Sequence, residues 1–168
     1  KEPWLNGAIN VADIAVMSVE ATTGERETRD DVGANRMLLE NHFLYNFVDA
    51  DADLSAYKLL VLPEGVRIGD ELLAKIKSFI ANGGKVIAAG NSIVKDGKFI
   101  LDFGAEYLGK SELNPTYFVP AFETVNGTPE YVMRCDFNKF EVREGEVVAR
   151  MQNPYFNRTA EHFCSHAH

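Results

Sequence analysis

Residues 53–92, DLSAYKLLVLPEGVRIGDELLAKIKSFIANGGKVIAAGNS, constrain the fold more than any other stretch, because strand, helix and strand follow one another with few residues between them. Leu59, Leu60, Val61 and Leu62 form an apolar run stopped by Pro63, the pattern of a strand covered on both faces in a parallel sheet. Leu72, Leu73, Ile76, Phe79 and Ile80 then recur at one-face helical spacing, with Asp70 as the expected cap and Asn82-Gly83-Gly84 as the stop. Residues 86–89 return to a strand. A right-handed crossover of this kind leaves its ligand-binding turns at the carboxyl ends of the strands. The turns holding Glu64 and Gly65, and Asn91 and Ser92, are therefore the first places to look for function.

Upstream, a strand, a helix and a strand are expected again, without any repeat of sequence. Residues 11–19, VADIAVMSV, predict a central strand, residues 20–28 a loop, and residues 28–42 a helix capped by Thr28 with Asp31 near the positive end of its dipole. Residues 44–49 predict a second strand. This order predicts a flavodoxin-like, three-layer α/β sandwich with a mainly parallel sheet. After Ile93 the pattern changes: KDGKF is a turn, residues 100–109 are expected to form a short helix, and Pro115 and Pro120 interrupt the stretch beyond it. Residues 131–135 and 140–151 read as strands, the latter folded at Glu144-Gly145 into a hairpin. We expect a single domain over residues 1–168, with a doubly wound core at 11–98 and a β-rich extension at 99–168. The abrupt ends KEPWLNGAIN and EHFCSHAH suggest a domain cut from a longer polypeptide.

A net charge of -8 argues against a nucleic-acid partner and against an anionic membrane surface, both of which reward clustered Lys and Arg. No apolar run approaches the 18 or so residues that a membrane span requires. Two cysteines, Cys135 and Cys164, are too few for a disulfide scaffold. The first residues are not a signal peptide, so periplasm, secretion and cytoplasm stay open.

The phrase D-L-S-x-Y-K, the apolar strand ending in L-P, the acidic-capped helix and the turn A-N-G-G-K into V-I-A together resemble the middle domain of family 42 glycoside hydrolases, the β-galactosidase trimerisation domain. The resemblance covers roughly residues 11–98, and the tail NPYFNRTAEHFCSH is similar to a phrase from bacterial glycoside-hydrolase-like proteins. It implies a class I glutamine amidotransferase-like fold. It also implies a non-catalytic accessory role: packing subunits into a homo-oligomer, such as a trimer, and bordering the active site of a neighbouring catalytic barrel, with carbohydrate nearby. The last 70 or so residues depart from that pattern.

Each other chemical reading meets a physical objection. An amidotransferase needs an activated cysteine on a strand-end turn, but the turn A-A-G-N-S-I-V offers Asn91 and Ser92, and it lacks the second glycine of a serine elbow. Thr22, Thr23, Gly24 and Thr28 stand where a flavodoxin-like module would hold a phosphate or flavin, yet Glu25 and Glu27 would repel the anion. His162, Cys164, His166 and His168 alternate along the terminus, but one strand spreads four ligands too widely for a tetrahedral metal. Asp30, Asp31, Asp49, Asp51 and Asp53 read as solvated turn and helix-start residues rather than a glycosidase pair. A catalytic barrel of about 250 residues would exceed the chain. Tyr117, Phe118, Phe122, Tyr155 and Phe156 are candidates for stacking on sugar. Asn126 and Asn157 begin glycosylation-type triplets. Neither a cofactor nor a catalytic residue is expected. A small-molecule binding module is the alternative reading, and a divergent amidotransferase the third.

Overall fold

The computed structural model describes residues 3–124, 127 and 130–155. The chain divides into two compact units, residues 1–94 and 95–168. The first contains β1 (Ile14–Met17), α1 (Val19–Thr23), α2 (Arg29–Glu40), β2 (Tyr45–Val48), β3 (Leu59–Leu62), α3 (Asp70–Ala81) and β4 (Lys85–Ala88). Its four strands form one parallel sheet in the order β2-β1-β3-β4, so the chain runs outwards in both directions from the β1/β3 pair. The protein is thus a mixed α/β structure with a parallel four-stranded sheet and additional antiparallel sheets.

The register sets Phe47, Val16, Val61 and Ile87 in one row across all four strands, and Asn46, Ala15, Leu60 and Val86 in the next. Successive rows point to opposite faces. Tyr45 shares the face of Phe47, with their rings 5.9 Å apart, and its hydroxyl donates to the Asn35 carbonyl at 3.3 Å. That bond places α2 over the Phe47 row. Right-handed crossovers then send α3 to the other face, where Ile76 and Phe79 are buried with Leu60 and Leu62. No residue of α2 is buried, and its cover stops short of β4. Val16, inside the row, is fully buried, whereas Ile87 at its end is 54% exposed.

Local chemistry moves several expected boundaries. The strand expected at residues 11–19 is limited to β1, because Ser18 caps a helix with its hydroxyl on Ala21 N at 3.1 Å. Residues expected to be a loop therefore contain α1. Gly69, not Asp70, occupies the cap position of α3; Asp70 and Glu71 fill its first turn, where the helix dipole favours them. Gly83 takes the left-handed conformation expected of the stop, with φ of 93°. A Cβ on Gly84 would run into the ring of Phe79, so that glycine serves close approach.

The second unit is antiparallel. At its start β5 (Val94–Lys95) and β6 (Lys98–Phe99) flank Asp96 and Gly97, both at positive φ as a two-residue hairpin requires. Then follow β7 (Ala105–Lys110), β8 (Thr116–Pro120), β9 (Tyr131–Met133), β10 (Asn138–Val142) and β11 (Ala149–Gln152). β10 pairs with β7, and β8 lies between β11 and β9. The helix expected over residues 100–109 is absent: β7 alternates half-buried and exposed side chains, a period of two rather than 3.6. The hairpin expected over residues 140–151 does not form either. Arg143 N and Glu144 N both donate to Gly104 O, drawing the end of β10 towards the start of β7 instead. Phe99 packs against Phe103, Tyr107 and Phe140 at centroid distances of 4.9, 5.5 and 6.3 Å, which gives this unit an aromatic centre.

Candidate functional site

The carboxyl ends of β1 and β3, where the strand order diverges, are the position at which open α/β sheets bind ligands. Here that position is filled from within. The Asp31 carboxylate reaches from the first turn of α2 to accept bonds from Ser18 Oγ (3.0 Å), Val19 N (2.8 Å) and Glu20 N (3.0 Å). These are the first N–H groups of α1, the donors a phosphate would use. Sequence reading assigned Asp31 to its own helix dipole and missed this role, since the partner lies on a different helix.

The remaining phosphate-type candidates are engaged with backbone. Thr22 Oγ1 donates to Ser18 O at 3.0 Å and Thr23 Oγ1 to Val19 O at 2.8 Å. Gly24 closes α1 in the left-handed conformation, its N–H on Glu20 O at 2.8 Å. Thr28 precedes α2 but makes no side-chain cap bond; its hydroxyl is buried without a partner among the described residues. We expect flavin mononucleotide to leave the melting temperature of the wild-type chain unchanged, as measured by thermal shift.

The turns after β3 and β4 do come together. Asn91 Nδ2 donates to Glu64 Oε1 at 2.6 Å, and Gly90, at φ of 52°, leaves room for that carboxylate, with which a Cβ would collide. Gly65 is equally confined: a Cβ there would lie 2.7 Å from Asp30 Oδ2 and 2.8 Å from Val19 Cγ1. Gly90→Ala should lower stability by about 1–2 kcal/mol through left-handed strain and displacement of Glu64, checked by urea unfolding. Ser92 is buried, and its hydroxyl has no partner among the described residues. The one described histidine, His42, precedes β2 at the opposite edge of the sheet, so no imidazole stands beside Ser92 as a base among the described residues. Cys135 is exposed in the second unit.

The aspartates expected to be turn residues act as such. Asp49 Oδ1 accepts from Asp51 N (3.0 Å) and Ala52 N (2.9 Å), and Asp53 accepts from Ser55 N (2.8 Å) and Ser55 Oγ (2.9 Å). The Ser55 backbone bond, then the Ser55 hydroxyl and the Lys75 charge, hold the Asp53 carboxyl below its usual 3.8. A carboxyl lowered in the folded state stabilises above its unfolded pKa and loses that contribution as pH falls through the folded one. Asp53→Asn should therefore flatten the stability profile below about pH 4, measured as melting temperature against pH. Lys75 also donates to Ala52 O at 3.1 Å and to Ala50 O, pinning this loop to α3.

Two clefts stand out among the described residues. One of about 360 Å³ lies between the residue 53–57 loop and α3. The other, about 700 Å³, lies in the second unit and is lined by Glu112, Phe137, Lys139, Phe140, Arg150 and Met151, among others. Sequence reading did not find it, because separate strands and loops build it. It holds one carboxylate, Glu112, where glycosidic chemistry needs two. Of the aromatic candidates, Phe118 packs on Tyr131 at 6.3 Å, Tyr117 neighbours it on β8, and Phe122 and Tyr155 are exposed. His162, Cys164, His166, His168, Phe156, Asn126 and Asn157 lie outside the described residues. Among the described residues no cluster of three His, Cys, Asp or Glu could hold a metal, and no helix is long and apolar enough to cross a membrane.

Fold and site together define an α/β domain whose ligand position at the ends of the central strands β1 and β3 is closed by its own carboxylate. Residues 35–160 match the model of the β-galactosidase trimerisation domain, and the chain belongs to that family. α-L-Fucosidase isoenzyme 2 from Paenibacillus thiaminolyticus is similar over 98% of this chain and 26% of its own length, at 38% identity and a TM-score of 0.90. A β-galactosidase from Bacillus circulans matches over 91% of this chain and 26% of its own, at 16% identity and 0.67. PurLQS from Thermotoga maritima, at 17% identity and 0.53, covers 84% of this chain and 76% of its own, a likeness of fold alone. A search of curated proteins gave no match. The chain spans about a quarter of the length of the two glycosidases.

Proposed function

We propose that the chain is the non-catalytic accessory domain of a glycoside hydrolase, where it holds subunits together and borders the active site of a neighbouring catalytic barrel. The family match over residues 35–160 carries this reading. It is supported by the carboxylates: Asp31, Asp49 and Asp53 bind backbone, and Glu64 binds Asn91. None is free to form an acid–base pair with another across a cleft. The fold is read as flavodoxin-like and class I glutamine amidotransferase-like, in keeping with the order β2-β1-β3-β4. The whole, residues 1–168, is one accessory module of a longer polypeptide, in keeping with the quarter-length coverage of the fucosidase.

Two measurements test the reading. The chain alone should release no aryl alcohol from aryl α-L-fucosides or aryl β-D-galactosides; hydrolysis abolished by Glu64→Gln or Glu112→Gln would overturn it. Sedimentation velocity over a wide concentration range should give three chain masses. For the complete enzyme, an aryl α-L-fucoside is the substrate to offer first, since 38% identity joins the chain to a fucosidase and 14–21% to β-galactosidases.

A further inference from the structure

A closed ring of three identical subunits cannot use one patch twice; it needs two different, complementary patches on each copy. The first unit carries two. On α2, the bond from Tyr45 to Asn35 fixes the helix rotation. Residues 30, 31, 34, 35 and 38 are its partly buried positions, so Val32 and Leu39 form an outer ridge beyond the edge of β2, 53% and 59% exposed. Phe43 at the end of the helix and Phe47 on the edge strand extend that ridge. Met37 lies on the opposite flank of α2, above the half of the sheet that the helix leaves open, and is 71% exposed. Ile87 lies in that open half, at the end of the row that begins with Phe47.

The geometry points to a head-to-tail contact in which the outer α2 ridge of one copy packs on the open β3–β4 half of the next copy's sheet. Among the described residues that half carries no helix of its own, because the chain leaves β4 for the β5–β6 turn rather than crossing back over the same face. A helix from a second copy supplies the missing layer. The six side chains, four on the ridge and two on the open half, together present on the order of 600 Å² of apolar surface, so neither patch alone exceeds what a soluble monomer commonly exposes. At the ~57% apolar share of ordinary interfaces, that surface corresponds to about 1,000 Å² buried per contact, the size at which specific association begins. The assignment rests on the self-association proposed above and names its surface.

Charge placed on either patch tests it, with the 168-residue chain throughout. Leu39→Glu and Ile87→Glu should each give monomers in sedimentation velocity while circular dichroism stays native, since both side chains are exposed. Mixed one to one, they should form dimers that neither forms alone: the first keeps an intact sheet face, the second an intact ridge. Leu108→Glu, equally exposed on β7, should remain assembled like wild type. Variants that stay trimeric overturn this surface and leave the oligomerisation reading intact. Monomers in the mixture overturn the head-to-tail pairing. A wild-type chain that is monomeric at every concentration overturns both the surface and the assembly role.

Discussion

Asp31→Ala is expected to lower folding stability by about 2–3 kcal/mol, read as a shift of the urea midpoint with unchanged slope. The carboxylate accepts from two backbone N–H groups and the Ser18 hydroxyl at 2.8–3.0 Å, and its removal leaves Val19 N and Glu20 N without that acceptor while the Ser18 cap on Ala21 N remains. Charge-assisted bonds of this kind exceed an ordinary helix cap, worth about 1 kcal/mol. Asp31→Asn keeps one acceptor oxygen and should lose about half as much. A loss below about 0.5 kcal/mol, the range of ordinary surface changes, would show that α1 does not depend on this carboxylate.

Leu60→Ala should be the more damaging change, at about 4 kcal/mol. Leu60 is fully buried on a central strand, in register with Ala15 on β1 and Val86 on β4, beneath the α3 residues Ile76 and Phe79. A sheet paired on both sides cannot close inwards to fill the void, so the cavity penalty adds to the lost transfer free energy. For a chain of this size the melting temperature should fall by roughly 8–16 °C. Leu108→Ala, on an exposed position of β7, should change it by no more than a degree or two.

The first unit was legible in the sequence because its signals are local. The Leu59–Leu62 run ends where β3 ends, and the spacing of Leu72, Ile76 and Phe79 marks the buried stripe of α3. The misreadings arise where a partner distant in sequence decides. Val19 belongs by composition to the strand before it, but Ser18 and Asp31 turn it into a helix start. Residues 140–151 look like a hairpin, yet Gly104, some 40 residues upstream, captures the end of β10. β8 was missed because it is bounded by Pro115 and Pro120, residues that punctuate a sequence but are tolerated at a strand's ends. At the candidate site, the glycines and acidic residues were visible individually. The Asn91–Glu64 bond and the reach of Asp31 to another helix were not, because neither obeys a periodic pattern.

A ligand shifts a conformational equilibrium only as far as it binds one state better than another. With Asp31 fixed in the position where this sheet would accept an anion, small metabolites have little differential free energy to exert on the domain. At that position the domain's shape then does not depend on a bound anion. An assembly spaced by such a domain would hold its active sites at a constant separation while substrate and phosphate levels rise and fall around it.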